Sequence, residues 1–202
     1  MKLSNRNNLV VVDIETSGVN PFLHDVLAIG FVPINPTRPS TAFYIRHDDI
    51  RWTEWARKGF EKYASEWDQK SVSPIQACDQ IEKYLKQNFP DGPATPVGHN
   101  VGFDLAFLRK LAFLGGREQL ANLSHRAVDT HTLLYLLHLA GRIPLGALNS
   151  DGAFQHFGIG VPEAVRHTAL GDALATRELL ICLLDEFPLE NYLASSSRSN
   201  IV

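Results

Sequence analysis

The chain has 202 residues, long enough to bury a sizeable core without disulfide or metal staples. Its 45% hydrophobic and 20% charged residues exclude a disordered or fibrous chain and fit a globular domain. A net charge of −3, from 19 basic and 22 acidic residues, argues against a protein that mainly coats duplex nucleic acid.

Cys78 and Cys182 stand singly, without metal-ligand spacing, and read as buried apolar residues in a reducing compartment. Met1 to Asn8 has no apolar core of signal-peptide length, and no stretch is long enough to span a bilayer. The expected location is therefore cytoplasmic, with no membrane partner. The expected organisation is a single domain over 1–202, with a core at about 8–187 and a polar, disordered tail at about 194–202.

The first element is Leu9-Val-Val-Val-Asp13-Ile-Glu15-Thr-Ser-Gly18. It opens as a β-branched run typical of a strand buried on both faces and ends on a Ser-Gly turn signal. Alternate strand side chains share a face, so Asp13 and Glu15 point the same way. Two like charges side by side raise each other's pKa, and either a proton or a cation must relieve them.

Asp25 to Ile34 reads as a second buried strand and Ser40 to Arg46 as a third. With no helix between them, the three are expected to pair as an antiparallel meander. Trp52 to Trp67 reads as a helix carrying three tryptophans. Ser73-Pro74 opens a further helix, whose stripe of Ile75, Cys78, Ile81, Tyr84 and Leu85 runs to Asn88. Thr95 to Gly98 is a short fourth strand, with His99 to Asp104 at its tip and a helix over 105–114. Arg126 to Asp129 gives a fifth strand. Helices follow at 130–140, within 145–157, and from about Thr168 to Phe187. This order predicts an α/β fold, a mixed five-stranded sheet with helices on both faces. In such sheets, chemistry gathers where strand ends and helix starts converge.

Each candidate residue also has a plain reading. A lone Asp-x-Glu is weak evidence for a metal site, although charges beside a buried aliphatic run are costly unless paired or metal-bound. Asp104 could be an ordinary first-turn acid favoured by the helix dipole. Phe103 and Phe107, four apart, make an ordinary packing pair. His167 and Asp172 would not share a face of one regular helix. With Thr168 as N-cap, however, His167 lies in the loop and can swing over Asp172, and Gly171 fits a crowded approach there. His131 and His138 read as a polar stripe.

Three clusters stand in order: Asp13-Ile-Glu15-Thr-Ser-Gly18, His99-Asn-Val-Gly-Phe103-Asp104 and His167-Thr-Ala-Leu-Gly-Asp172-Ala173. Together they resemble the DEDDh family of 3′-to-5′ exonucleases, which includes polymerase proofreading subunits, ribonuclease T and oligoribonuclease. The resemblance covers about residues 8 to 187. It implies a ribonuclease H-like fold and hydrolysis of single-stranded 3′ ends of DNA or RNA to nucleoside 5′-monophosphates. It also implies two divalent cations, Mg2+ or Mn2+, held by Asp13, Glu15, Asp104 and Asp172, with His167 as general base. Bound cations would also let a chain of net charge −3 hold a single strand. Thr16, Asn100 and Phe103 match positions beside the substrate. Ala28 departs from the pattern, since many members carry Glu there.

The chemistry explains the residue types. Two cations can together activate a water and stabilise a leaving 3′-oxygen. Hard carboxylate oxygens suit Mg2+ and Mn2+, and imidazole is the side chain that changes charge nearest neutral pH. Phe22, Leu23 and Phe107 are candidates for stacking on terminal bases. A polymerase-associated or assembly subunit is the alternative reading, with Trp52, Trp55 and Trp67 as interface anchors. A nuclease for short RNA is a third, disfavoured by the Thr16-Ser17-Gly18 turn, which differs from the Met-Thr-Gly of oligoribonuclease.

Overall fold

The computed structural model describes residues 7–187. The polar tail expected at 194–202 lies outside them. Five strands form one sheet in the order β3-β2-β1-β4-β5, where β1 is Leu9–Thr16, β2 Val26–Pro33, β3 Thr41–Tyr44, β4 Thr95–Gly98 and β5 Val128–Asp129. β1, β2 and β3 form the expected antiparallel meander, while β4 lies parallel to β1 and β5 parallel to β4. β1 is therefore the central strand, which suits its aliphatic run.

The period of two along β1 sorts its side chains. Val10, Val12 and Ile14 join a core cluster with Ile81 and Leu85 of α3 (Pro74–Asn88) and Phe107 and Leu111 of α4 (Val101–Leu114). Val11, on the opposite face, packs with Ala173 and Leu180 of α7 (Ala169–Glu186). Asp13 and Glu15 continue the Val11 row and so face α7. Helices cover both faces, as expected.

Ser73 caps α3 as read, in a full capping box with Gln76. Several boundaries differ. The segment around the tryptophans is two helices, α1 (Glu54–Phe60) and α2 (Ala64–Lys70), not one. Between them Lys62 N–H bonds the Gly59 carbonyl and Tyr63 N–H bonds that of Phe60, a tighter turn that interrupts the α-helix. That turn lets Phe60 pack edge-on against Trp52, Tyr63 and Trp67. α4 begins four residues earlier than the sequence suggested, because Asn100 takes a left-handed conformation (φ 63°) that turns β4 straight into the helix.

α5 (Thr130–Leu139) follows the two-residue β5 directly, capped by Asp129. The expected helix within 145–157 is a 3-10 turn (Leu145–Leu148) and then α6 (Ser150–His156), capped by Asn149. Cys78 is buried as expected, whereas Cys182, on α7, is only half-buried. Among the described residues no helix is long and apolar enough to cross a membrane.

Candidate active site

The end of β1, the first turn of α4 and the start of α7 meet at one place. A register shift between Glu15 and Thr16 ends the regular β1–β2 ladder. Beyond it the chain turns, and the turn is tied on several sides. Ser17 N–H donates to the Asp25 carbonyl and Asp25 N–H to Ser17 Oγ, both at 2.9 Å. Thr53 N–H donates to the Ser17 carbonyl at 2.9 Å. Thr16 Oγ1 donates to the Gly18 carbonyl at 2.8 Å, so this hydroxyl shapes the lip of the site.

Asp13, Glu15 and Asp172 each offer a carboxylate oxygen, and these atoms all lie within 4.8 Å of one another. Asp104 falls outside that trio but stands next to it: it is buried, the Ile14 backbone N–H favours its charged form, and its charge acts on Asp13. Burial first, then Asp104, Glu15 and Asp172, hold the Asp13 pKa well above the usual carboxylate range. Glu15 is pushed up to about 8, chiefly by burial and then by Asp172. Asp104 is likewise pushed up to about 8 by burial, against the opposing pull of its own backbone N–H and that of Ile14. Without an added cation the site therefore retains protons that ordinary carboxylates lose by pH 5. Clustered, desolvated oxygen donors of this kind fit hard divalent cations.

Thr168 is the N-cap of α7, its Oγ1 accepting the Gly171 N–H at 3.2 Å. His167 lies just before it in the left-handed region (φ 61°). Its N–H donates to Asp172 Oδ1 at 3.2 Å, and its ring Nδ1 lies 3.9 Å from Asp172 Oδ2. The loop thus carries the imidazole over the carboxylate, as the capping argument expected. Gly171 is needed for the crossing, since a Cβ there would lie 2.0 Å from the Val165 carbonyl oxygen.

A cleft of about 520 Å³ opens beside the carboxylates. Glu15, Thr16, Phe103 and His167 line it, together with Val19, Trp55, Lys58 and Lys62. Phe103 also packs on Phe107 at 5.0 Å between ring centroids, the i,i+4 pair expected. Asn100 is not among the lining residues; its N–H donates to Asp129 Oδ1 at 2.8 Å.

Phe107 is fully buried in the core and has no face for a base, which corrects its candidacy for stacking. Phe22 is 91% and Leu23 47% exposed, in the turn beyond Thr16. Ala28 is buried opposite Glu15 in the β1–β2 register. Of the three tryptophans, Trp52 and Trp67 pack on Phe60, and Trp67 Nε1 donates to the Ile45 carbonyl. Only Trp55 is largely free, at 76% exposure, and it belongs to the cleft.

Sequence reasoning missed Lys62, Arg166 and Asp151. Lys62 Nζ donates to the Arg166 carbonyl at 3.2 Å, and its charge lowers the Glu15 pKa. The Arg166 guanidinium is paired with both Asp172 and Asp151. The one sequence signal was a basic residue directly before His167.

No family model matches the chain. A protein of Rhodobacter capsulatus named DNA polymerase III subunit epsilon-like protein is 38% identical over 96 residues. Those residues are 48% of this chain and 12% of that protein. The nuclease domain of 3′hExo, described as a DEDDh family member bound to rAMP, superposes with a TM-score of 0.70 at 10% identity, covering 91% of this chain and 94% of that one. Zinc-bound E. coli exonuclease I in complex with single-stranded DNA gives 0.73 at 18% identity, covering 92% of this chain and 42% of that one. The chain thus spans less than half of exonuclease I and a small part of the curated relative. In architecture, a mixed five-stranded sheet with helices on both faces, the chain has the ribonuclease H-like fold of the DEDDh exonucleases.

Proposed function

We propose that the chain is a 3′-to-5′ exonuclease that releases nucleoside 5′-monophosphates from single-stranded 3′ ends. The observation that carries this reading is the convergence of Asp13, Glu15 and Asp172 within 4.8 Å, with buried Asp104 beside them and His167 at the rim. Asp13, Glu15, Asp104 and Asp172 would hold two divalent cations, Mg2+ or Mn2+. Such cations, when bound, activate a water and stabilise the charge that develops on the leaving oxygen.

The chain's own groups supply the remainder. His167 takes the proton of the attacking water, its ring placed over the site by the left-handed backbone and the Asp172 bond. Thr16 and Phe103 line the place for the terminal nucleotide, and Trp55 adds an apolar face to the same cleft. Lys58 and Lys62 line the same cleft and attract the phosphate backbone. Asn100 acts at one remove, through the β4–α4 turn that presents Asp104.

The test runs 5′-labelled single-stranded DNA, duplex DNA and RNA side by side with Mg2+, Mn2+ or EDTA. Asp13→Ala and Glu15→Ala are expected to abolish cation-dependent release of 5′-mononucleotides. Release that survives in the purified variants refutes the assignment.

A second reading, a subunit working inside a polymerase or another complex, draws support from the epsilon-like name of the curated relative. The tryptophans do not serve it, because Trp55 lines the cleft and the other two are packed. Tyr135, Leu136 and Leu139, exposed along one side of α5, would serve it instead. An active nuclease that co-purifies with a polymerase satisfies both readings.

A further inference from the structure

Arg166 has no role in the reading above, yet it lies inside the acidic cage. Its side chain is only 12% exposed. One guanidinium nitrogen pairs with Asp172 Oδ2. Nε and Nη2 both donate to Asp151 Oδ1, at 3.2 and 2.6 Å. The face of the guanidinium lies 5.4 Å from the centre of the Phe154 ring. Its charge opposes the rise in pKa at both Asp13 and Glu15.

Asp172 is consequently engaged at both oxygens, by His167 N–H at Oδ1 and by Arg166 at Oδ2. An oxygen bonded to a guanidinium in this way is compromised as a ligand for a dication. Asp151 is a different kind of acid. It sits on α6, is 76% exposed and is outside the carboxylate trio.

We propose that Arg166 is the cage's internal counter-cation, which competes with divalent ions for Asp172 and stays seated on Asp151 when it yields. The inference rests on the divalent-cation reading above. Three acids in a confined space need positive charge nearby, and a tethered guanidinium supplies it without a bound ion. A divalent ion carries twice the charge and displaces the guanidinium from Oδ2. The displaced group keeps its two bonds to Asp151 and its place over Phe154, so it is not stranded as a buried, unpaired charge. Lys62 holds the Arg166 carbonyl, so the exchange takes place in the side chain while the backbone beside His167 stays fixed. Cation affinity then reflects the difference between two ion pairs formed by one arginine.

The test is Mn2+ titration of the full chain, followed by the electron paramagnetic resonance signal of free Mn2+. Circular dichroism melts verify that each variant is folded. Arg166→Gln is expected to tighten Mn2+ binding by roughly three- to tenfold, as Asp172 is released. Asp151→Asn is expected to weaken it by about threefold, because the guanidinium loses its alternative seat. In the double variant the Asp151 effect should vanish, since no arginine remains to be seated.

A loop that merely needed the Arg166–Asp151 pair for support would lose affinity in both single variants. Charge acting at a distance would make the two effects add. Either result overturns the proposal, as does an Arg166→Gln variant with unchanged affinity. Wild-type protein that fails to bind Mn2+, or Asp13→Ala that binds it equally well, overturns the cation reading and this proposal together. Wild-type binding that Asp13→Ala abolishes and Arg166→Gln leaves unchanged overturns this proposal alone.

Discussion

Gly30 of β2 lies directly beneath the Ala169 carbonyl of α7, so close that a Cβ on Gly30 would stand 2.3 Å from that oxygen. Gly30 is the cross-strand partner of Asp13. The missing side chain is what lets the start of α7 settle onto the sheet beside the first acid, bringing Asp172 and His167 with it.

Gly30→Ala is therefore expected to push α7 outward and damage catalysis more than folding. Overpacking of this kind costs about 1–3 kcal/mol of stability. A shift of a few tenths of an ångström to 1 Å in Asp172 and His167 should lower kcat by about 100-fold. Thermal melts and single-turnover rates on the same preparation check this; wild-type rates would show that α7 has slack.

The raised acids give the cation-free protein an inverted dependence on pH. Burial pushes Glu15 and Asp104 up to about 8 in the folded chain, well above their ordinary values of 4.5 and 3.8. Their folded forms hold protons that the unfolded chain has released. Their contribution is fully present below the unfolded values and is lost as pH rises through about 8. In EDTA, the urea midpoint at pH 6 should exceed that at pH 8.5, and saturating Mg2+ should flatten the difference. A midpoint that climbs with pH in EDTA would contradict the assignment.

Asp104→Asn separates function from stability. The amide keeps an oxygen toward the Ile14 N–H while removing a buried charge. At pH 8.5 in EDTA the melting temperature is expected to rise by a few degrees, corresponding to ~1 kcal/mol, while cation-dependent cleavage falls by at least about 100-fold. A lower melting temperature would mean that the charged form is better satisfied than its surroundings imply.

Trp55 and Phe107 provide a matched pair of aromatic truncations. Trp55→Ala removes an exposed face of the cleft and should raise KM about tenfold by losing a stacking platform, with no change in melting temperature. Phe107→Ala opens a cavity in the main core and should cost about 3–5 kcal/mol of stability. Equal melting temperatures for the two variants would contradict the placement of Phe107 in the core.

Local patterns in the sequence accounted for much of this arrangement. Alternation along Leu9 to Thr16 placed Asp13 and Glu15 on one face, and Ser73 with Pro74 announced α3, because both depend on near neighbours. The α1–α2 break carried one local signal, Gly59 just before it, but the interruption itself comes from packing Phe60 among three other aromatic rings, which no spacing announces. The early start of α4 was hidden for a related reason: it depends on a left-handed Asn100, a conformation that asparagine permits but does not announce. Arg166 and Asp151 meet across fifteen positions and two turns, so no spacing rule relates them.

β1 is paired with β2 from Val10 to Thr16 and with β4 over Leu9 to Val11, while the segment 162–168 that carries His167 belongs to no ladder. Amide hydrogens of Val11 to Asp13 should exchange only when the whole sheet opens, whereas those before Thr168 need only a local opening. The acids and the histidine thus belong to different cooperative units. Mild denaturant should therefore silence the protein by releasing the histidine first, leaving behind an intact carboxylate cage that still takes up ions but no longer turns over.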